Sequence, residues 1–168
     1  MSAAREVNDA GRHLLYLEAH YLDTQRWDEW LELFVEDCEF WVPAWKAEHE
    51  LTSDPKRELS LVYIPARSGL EDRVWRVRSG RSVASMPMPR TQRSITNVLV
   101  KNEGTPEAMT VLSNWTVHMF TTKDRESHVF FGRAEHDLVQ RDGVWKIRRK
   151  KVVLLNDRMP AALDFYCL

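Results

Sequence analysis

The side chains best suited to metal or acid–base chemistry here are six histidines, His13, His20, His49, His118, His128 and His136, and two cysteines, Cys38 and Cys167. Two cysteines are too few for a disulfide framework or a cysteine-built zinc site. His118, His128 and His136 fall on stretches that read as neighbouring strands, so they could share one cavity. A metal site there would need a carboxylate such as Asp137. A regular strand sends His136 and Asp137 to opposite faces, which favours satisfied or surface histidines. Acid–base catalysis in a cavity is the sharper alternative, with Tyr16, Tyr21, Tyr63, Asp37 and His118 available, since a buried carboxylate or imidazole is tuned by its surroundings. The competing reading is that Tyr16 and Tyr21 serve only a helix stripe. The basic run from Lys146 to Lys151 divides its charge between the two faces of a strand. The net charge of −1 supplies no field for nucleic acid or a membrane surface.

The elements that would position these groups follow from periodicity. Ala10, Leu14, Leu17 and Tyr21 mark one face of an amphipathic helix. Asp23 or Thr24 then offers an N-cap to a second helix carrying Trp27, Trp30, Leu31 and Phe34. From Glu36 the pattern becomes a strand through Phe40, Trp41 and Val42, ending at Pro43. A polar loop over 46–56 follows, then a short strand from Leu59 to Ile64. Ser68-Gly69-Leu70-Glu71 has the capping-box pattern and opens a helix through Leu70, Val74 and Val77, closed by Gly80. The remainder reads as strands over 95–100, 109–121, 129–139 and 144–155. A turn is expected around Asn102-Glu103-Gly104-Thr105-Pro106, and Asp142-Gly143 makes a two-residue hairpin.

Composition is that of an ordered globular chain, 43% hydrophobic and 29% charged over 168 residues, which fits one domain over 1–168. Seven tryptophans suit a deep core, a subunit interface or both. The N-terminus has no signal-peptide core, and no apolar run approaches the roughly 18–20 residues of a membrane span, so a cytoplasmic location is expected. Helices followed by an antiparallel meander predict an α+β fold. The NTF2-like (cystatin-like) cone fits best, with N-terminal helices packed on a curved, mainly antiparallel sheet.

The segment from Arg57 to Val98 is dense in arginine yet holds no nucleophile–base pair, phosphate loop or metal-ligand spacing. Arg67, Arg73, Arg76, Arg78, Arg81 and Arg90 lie on or beside the Leu70–Val77 helix, with Arg93 beyond them and Asp72 placed to pair with Arg76. Arginine favours planar ion pairs across interfaces, so these residues are candidates for subunit contact. Trp41 and Trp45 flank Pro43, and at least one of them could project outward as an interface anchor.

The stretches DPKRELSLVYIPARSGLEDRVWRVRSG, MPMPRTQRSITNV and VVLLNDRMPAALDFYCL resemble the small (beta) subunit of aromatic-ring-hydroxylating dioxygenases. The likeness runs from the Trp27-Asp28-Glu29-Trp30 helix to Tyr166 and leans to the anthranilate and benzoate branch. The 87–91 and 155–166 segments favour anthranilate. The chain departs from the pattern at Cys167, where a histidine is expected. The resemblance implies a structural role with no catalytic, cofactor-binding or metal-binding residue carried here. A Rieske [2Fe-2S] cluster and a mononuclear Fe(II) are then expected in a large alpha subunit, with NADH electrons arriving through a separate reductase. It also implies an alpha3beta3 hexamer that dihydroxylates an aromatic carboxylate with O2. A stand-alone isomerase or dehydratase using Asp, Tyr and His inside the cone is the alternative.

Overall fold

The computed structural model describes residues 3–82, 85–102, 105–157 and 163–168. The chain runs α1 (Ala3–Asp23), α2 (Trp27–Glu32), β1 (Phe34–Pro43), β2 (Trp45–Ala47), β3 (Glu50–Leu51), β4 (Ser60–Ile64), α3 (Arg67–Arg78), β5 (Arg90–Asn102), β6 (Ala108–Thr121), β7 (Glu126–Arg141) and β8 (Val144–Leu154). A 3-10 turn at Phe165–Cys167 follows. Residues 103–104 of the expected turn over 102–106, and part of the C-terminal motif, fall outside the described residues.

Six strands form one sheet in the order β4-β1-β8-β7-β6-β5. Every neighbouring pair is antiparallel except β1 and β8, which run parallel. Bulges interrupt the β1–β8 register, the β5–β6 register beyond Thr96 and the β7–β8 register at Asp137/Leu138. Such bulges bend a strand and increase its twist, which curves the sheet into a cone. No helix among the described residues is long and apolar enough to cross a membrane.

Strand alternation holds where it was expected. Met109, Val111, Ser113, Trp115, Val117 and Met119 of β6 are all buried on one face. Asp142 and Gly143 both have positive φ, 53° and 77°, as the tight hairpin between β7 and β8 requires. The loop expected over 46–56 instead contains the β2–β3 hairpin, paired at Trp45↔Leu51 and Ala47↔Glu50.

The helices depart from expectation at their ends and in their buried face. The inward stripe of α1 is Leu14, Leu15, Glu18 and Leu22, while Leu17 and Tyr21 lie at its margin. Neither Asp23 nor Thr24 caps α2. Thr24 Oγ1 instead donates to the His20 carbonyl at the end of α1, and Asp23 is engaged by Thr91 and Arg93. Ser68 does not cap α3 either: Ala66 occupies the N-cap without a side-chain bond, and Glu71 pairs with Arg67 at 3.0 Å. Gly80, φ 68°, does end that helix.

Aromatic packing joins the helices to the C-terminal turn. Phe165 stacks on Trp30 with centroids 4.9 Å apart and meets the edge of Trp27 at 5.2 Å. Gly132 on β7 faces β8 so closely that a Cβ there would sit 1.8 Å from the Val153 carbonyl oxygen. Because that neighbour is backbone, no side-chain rotation relieves the clash. Gly132→Ala is expected to cost about 1–3 kcal/mol, read as a lower urea midpoint. An unchanged midpoint would show that β7 and β8 separate freely there.

Candidate functional site

The polar centre of the cone is built from three elements. Lys150 on β8 lies directly opposite His136 on β7, and both project inward. Glu18 descends from α1 between them. Its Oε1 accepts from Lys150 Nζ at 2.8 Å and from Trp30 Nε1 at 3.3 Å, and its Oε2 meets His136 Nε2 at 2.9 Å. Glu18, His136 and Lys150 are each 3–4% exposed.

Burial alone would push the Glu18 carboxyl up. The Lys150 charge and the His136 and Lys150 hydrogen bonds outweigh it and hold the group far below the usual carboxylate range. At Lys150 burial acts in the opposite sense and draws the ammonium down against the pull of Glu18. Three donors converging on one carboxylate decide the matter in favour of an ionised pair.

A second buried cluster closes the cone. The Arg93 side chain, 3% exposed, pairs with Asp23 and donates to the backbone carbonyls of Tyr166 and Leu168. Tyr166 shares a hydrogen bond of 2.7 Å with Ser85, and Asp164 pairs with Arg73 at 3.3 Å. The C-terminal residues are thereby held against β5, whose Arg93 is itself paired with Asp23 at the end of α1. Below Leu168 a cavity of about 20 Å³ remains, lined by Glu18, His136, Lys150, Ser113 and Trp115 among others.

The residues cast for acid–base catalysis are not in this space. Asp37 and His118 are exposed, Tyr16 is half exposed, and Tyr63 bonds Glu39 at 3.2 Å at the sheet's other face. Tyr21 packs beside the core under the Arg26 guanidinium. The three strand histidines also diverge. His136 points inward, His118 is exposed, and His128 lies 3.7 Å from Glu126 near a strand end. Asp137 faces away from His136, toward Thr110 and Arg149.

The candidate interface residues are spread over the surface and used unequally. Arg67 pairs with Glu71, Arg73 with Asp164, and Arg78 with Asp28 at 2.9 Å. Arg81 covers the exposed ring of Trp75 at 4.9 Å, whereas Arg76 and Arg90 are exposed. No Asp72–Arg76 ion pair forms among the described residues. Trp41 is 3% exposed, donates to Ser60 Oγ at 2.9 Å and lies under Lys151 and Arg149. Trp45, half buried, donates to the Leu154 carbonyl at 2.8 Å.

An iron or iron–sulfur group does not fit these residues. Among the described residues no three His, Cys, Asp or Glu side chains converge as a metal site. Burial pushes both the Cys38 and Cys167 thiols up to about 11, away from the thiolate a metal needs. Sequence reasoning missed Glu18 and Lys150. The only available signal was an acidic residue inside the α1 stripe and a lysine at an inward-facing strand position.

Two measurements test the buried ion pair. Glu18→Gln leaves Lys150 buried without its counter-charge and is expected to cost about 3–5 kcal/mol, recovered largely in the Glu18→Met, Lys150→Met double variant. The folded Glu18 carboxyl titrates below the unfolded value of about 4.3. Its contribution is therefore complete above that pH and drains away as pH falls below it. A wild-type denaturation midpoint that falls below about pH 4, with a shallower fall in the double variant, is the expected pattern. Identical acid profiles would remove Glu18 from that role.

Comparison with known proteins agrees with this architecture. The model of the family described as "Ring hydroxylating beta subunit" matches residues 17–161. The benzoate 1,2-dioxygenase subunit beta of Acinetobacter baylyi is 40% identical over 152 residues, covering 90% of this chain and 88% of that protein. The anthranilate 1,2-dioxygenase small subunit of the same organism is 39% identical over 163 residues, covering 96% and 97%. The crystal structure of the benzoate 1,2-dioxygenase beta subunit from Burkholderia mallei superposes with a TM-score of 0.76 at 33% identity, covering 94% of each chain. The fold is the NTF2-like cone, and the chain belongs to the beta-subunit family of ring-hydroxylating dioxygenases.

Proposed function

We propose that this chain, as one domain over 1–168, is the non-catalytic structural beta subunit of a cytoplasmic dioxygenase that dihydroxylates an aromatic carboxylate of the benzoate or anthranilate type. Anthranilate, converted to catechol with loss of its amino and carboxyl groups, is the favoured substrate. A large alpha subunit carries the Rieske cluster and the mononuclear iron, a reductase passes on electrons from NADH, and three copies of each subunit form the hexamer.

One observation carries the division of labour: the cone is filled. Among the described residues, the cavity beside Glu18 is about 20 Å³, whereas an apolar cavity of roughly 150 Å³ is the kind that admits benzene. An aromatic substrate has no room beside Glu18, and the chemistry belongs on another chain. The Glu18–His136 contact is what favours the isomerase or dehydratase alternative. Against it, the carboxylate is already committed to Lys150 and Trp30 and is not available as a base.

The subunit contacts are assigned to the exposed cationic and apolar groups. Arg76, Arg81 and Arg90 lead, with Arg67, Arg73 and Arg78 contributing beside their intrachain carboxylates. Exposed Trp75 and the outer-face residues Leu99, Val129 and Phe131 supply apolar area. Trp41 and Trp45 are tied by their indole N–H groups to β4 and β8 and contribute by packing rather than by projecting outward. Co-expression with the large-subunit gene product tests the reading. A stable complex is expected, with ring hydroxylation absent or strongly reduced when this chain is omitted. Full hydroxylation without it, or failure of the two chains to associate, would overturn the proposal.

A further inference from the structure

Among the described residues, two buried polar side-chain atoms inside the cone have no hydrogen-bond partner: Ser113 Oγ and His136 Nδ1. Ser113 is 4% exposed and His136 3%, so bulk solvent reaches neither. Their positions are linked by strand register. Ser113 on β6 lies opposite Ala134 on β7, and Val111 lies opposite His136, which makes Ser113 and His136 diagonal neighbours on the inward face. Diagonal neighbours have Cα atoms roughly 7–8 Å apart. That separation is wide for a direct bond between a short hydroxyl side chain and a ring nitrogen, and suited to one bridging molecule. Ala134 is small and leaves the space between them open. Both residues line the cavity beneath Leu168.

Size and hydrogen-bond polarity then define the occupant. The cavity is about 20 Å³, and one water requires roughly 10–15 Å³ of such space together with at least two polar partners. The Glu18 carboxylate can only accept, so His136 Nε2 donates to it across 2.9 Å. In the neutral ring Nδ1 is then an acceptor, and it needs a donor. The Ser113 hydroxyl supplies the complementary donor.

We propose that the space between Ser113 Oγ and His136 Nδ1 is a binding site for a single structural water, which donates to His136 Nδ1 and accepts from the Ser113 hydroxyl. The water fixes the imidazole tautomer whose Nε2–H faces Glu18, so it belongs to the same network as the buried Lys150. Apolar molecules leave both atoms unsatisfied, and anything larger than water meets Trp115 and Leu168. The site is therefore structural, independent of any aromatic substrate, and stands whether or not the chain assembles with an alpha subunit.

A high-resolution crystal structure of the full chain, together with 15N NMR of labelled histidine, tests the site. The expected result is one density peak within hydrogen-bond distance of both atoms, with Nε2 protonated and Nδ1 an accepting nitrogen. Ser113→Val adds a methyl group where the water sits. It is expected to remove the peak and move the Nδ1 resonance downfield, as for a bare pyridine-type nitrogen. Should that variant fail to fold, the wild-type density and tautomer decide alone. Absence of the peak, a direct Ser113–His136 bond, or a proton on Nδ1 would overturn the proposal.

Discussion

A carboxylate buried from solvent must be met by donors, and much of this fold is arranged around meeting one. Glu18 draws α1, α2, β7 and β8 to a single point, because Trp30, His136 and Lys150 each reach it from a different element. Apolar packing around this point is extensive but permissive, since many hydrophobic arrangements bury similar area. The ion pair is not permissive. It fixes the depth of α1 over the sheet and the facing of β8, where a one-residue slip would put Lys150 outside and Arg149 in the core. A buried charge pair is a weak source of net stability but a stringent one of register.

The outer face of the sheet repeats this logic in a wetter setting. Arg149 bridges Glu39 on β1 and Glu135 on β7, each at 3.0 Å, with Asp137 at 3.5 Å. Lys151 and Arg149 lie over Trp41. The basic run from Lys146 to Lys151 is thus divided by the pleat: one lysine serves the interior, and Arg149 and Lys151 lace the exterior strands together. What reads as a charge cluster in one dimension acts as two separate clamps in three.

Strand positions were legible from the amino-acid sequence because alternation has a fixed period and turns have strict backbone demands. The inward face of β6 and the Asp142-Gly143 hairpin were both recognisable for that reason. The inward face of α1 was harder to place, because its centre is Glu18, and a charged residue in an apolar stripe makes the stripe look rotated toward Leu17 and Tyr21. The caps misled for a different reason. Asp23, Thr24 and Glu71 are good local partners for a helix end, but the His20 carbonyl and Arg67, each four residues away, take Thr24 and Glu71, and Arg93, 70 residues on, takes Asp23. The arginines around α3 were correctly seen as a concentration of charge. Their division into intrachain pairs and exposed groups depends on where Asp28 and Asp164 arrive in space.

The parallel pairing of β1 with β8 carries a cost in time. Glu39 and Arg149, which join the two strands, are 110 residues apart in the chain. As the polypeptide leaves the ribosome, β1 gains its antiparallel neighbour β4 early, but its other edge stays unpaired until β8 has been made. Over the same interval Glu18 waits for Lys150. Contacts this distant in sequence slow folding and leave sticky strand edges exposed. The late-made β8 therefore enters the centre, rather than the end, of the sheet.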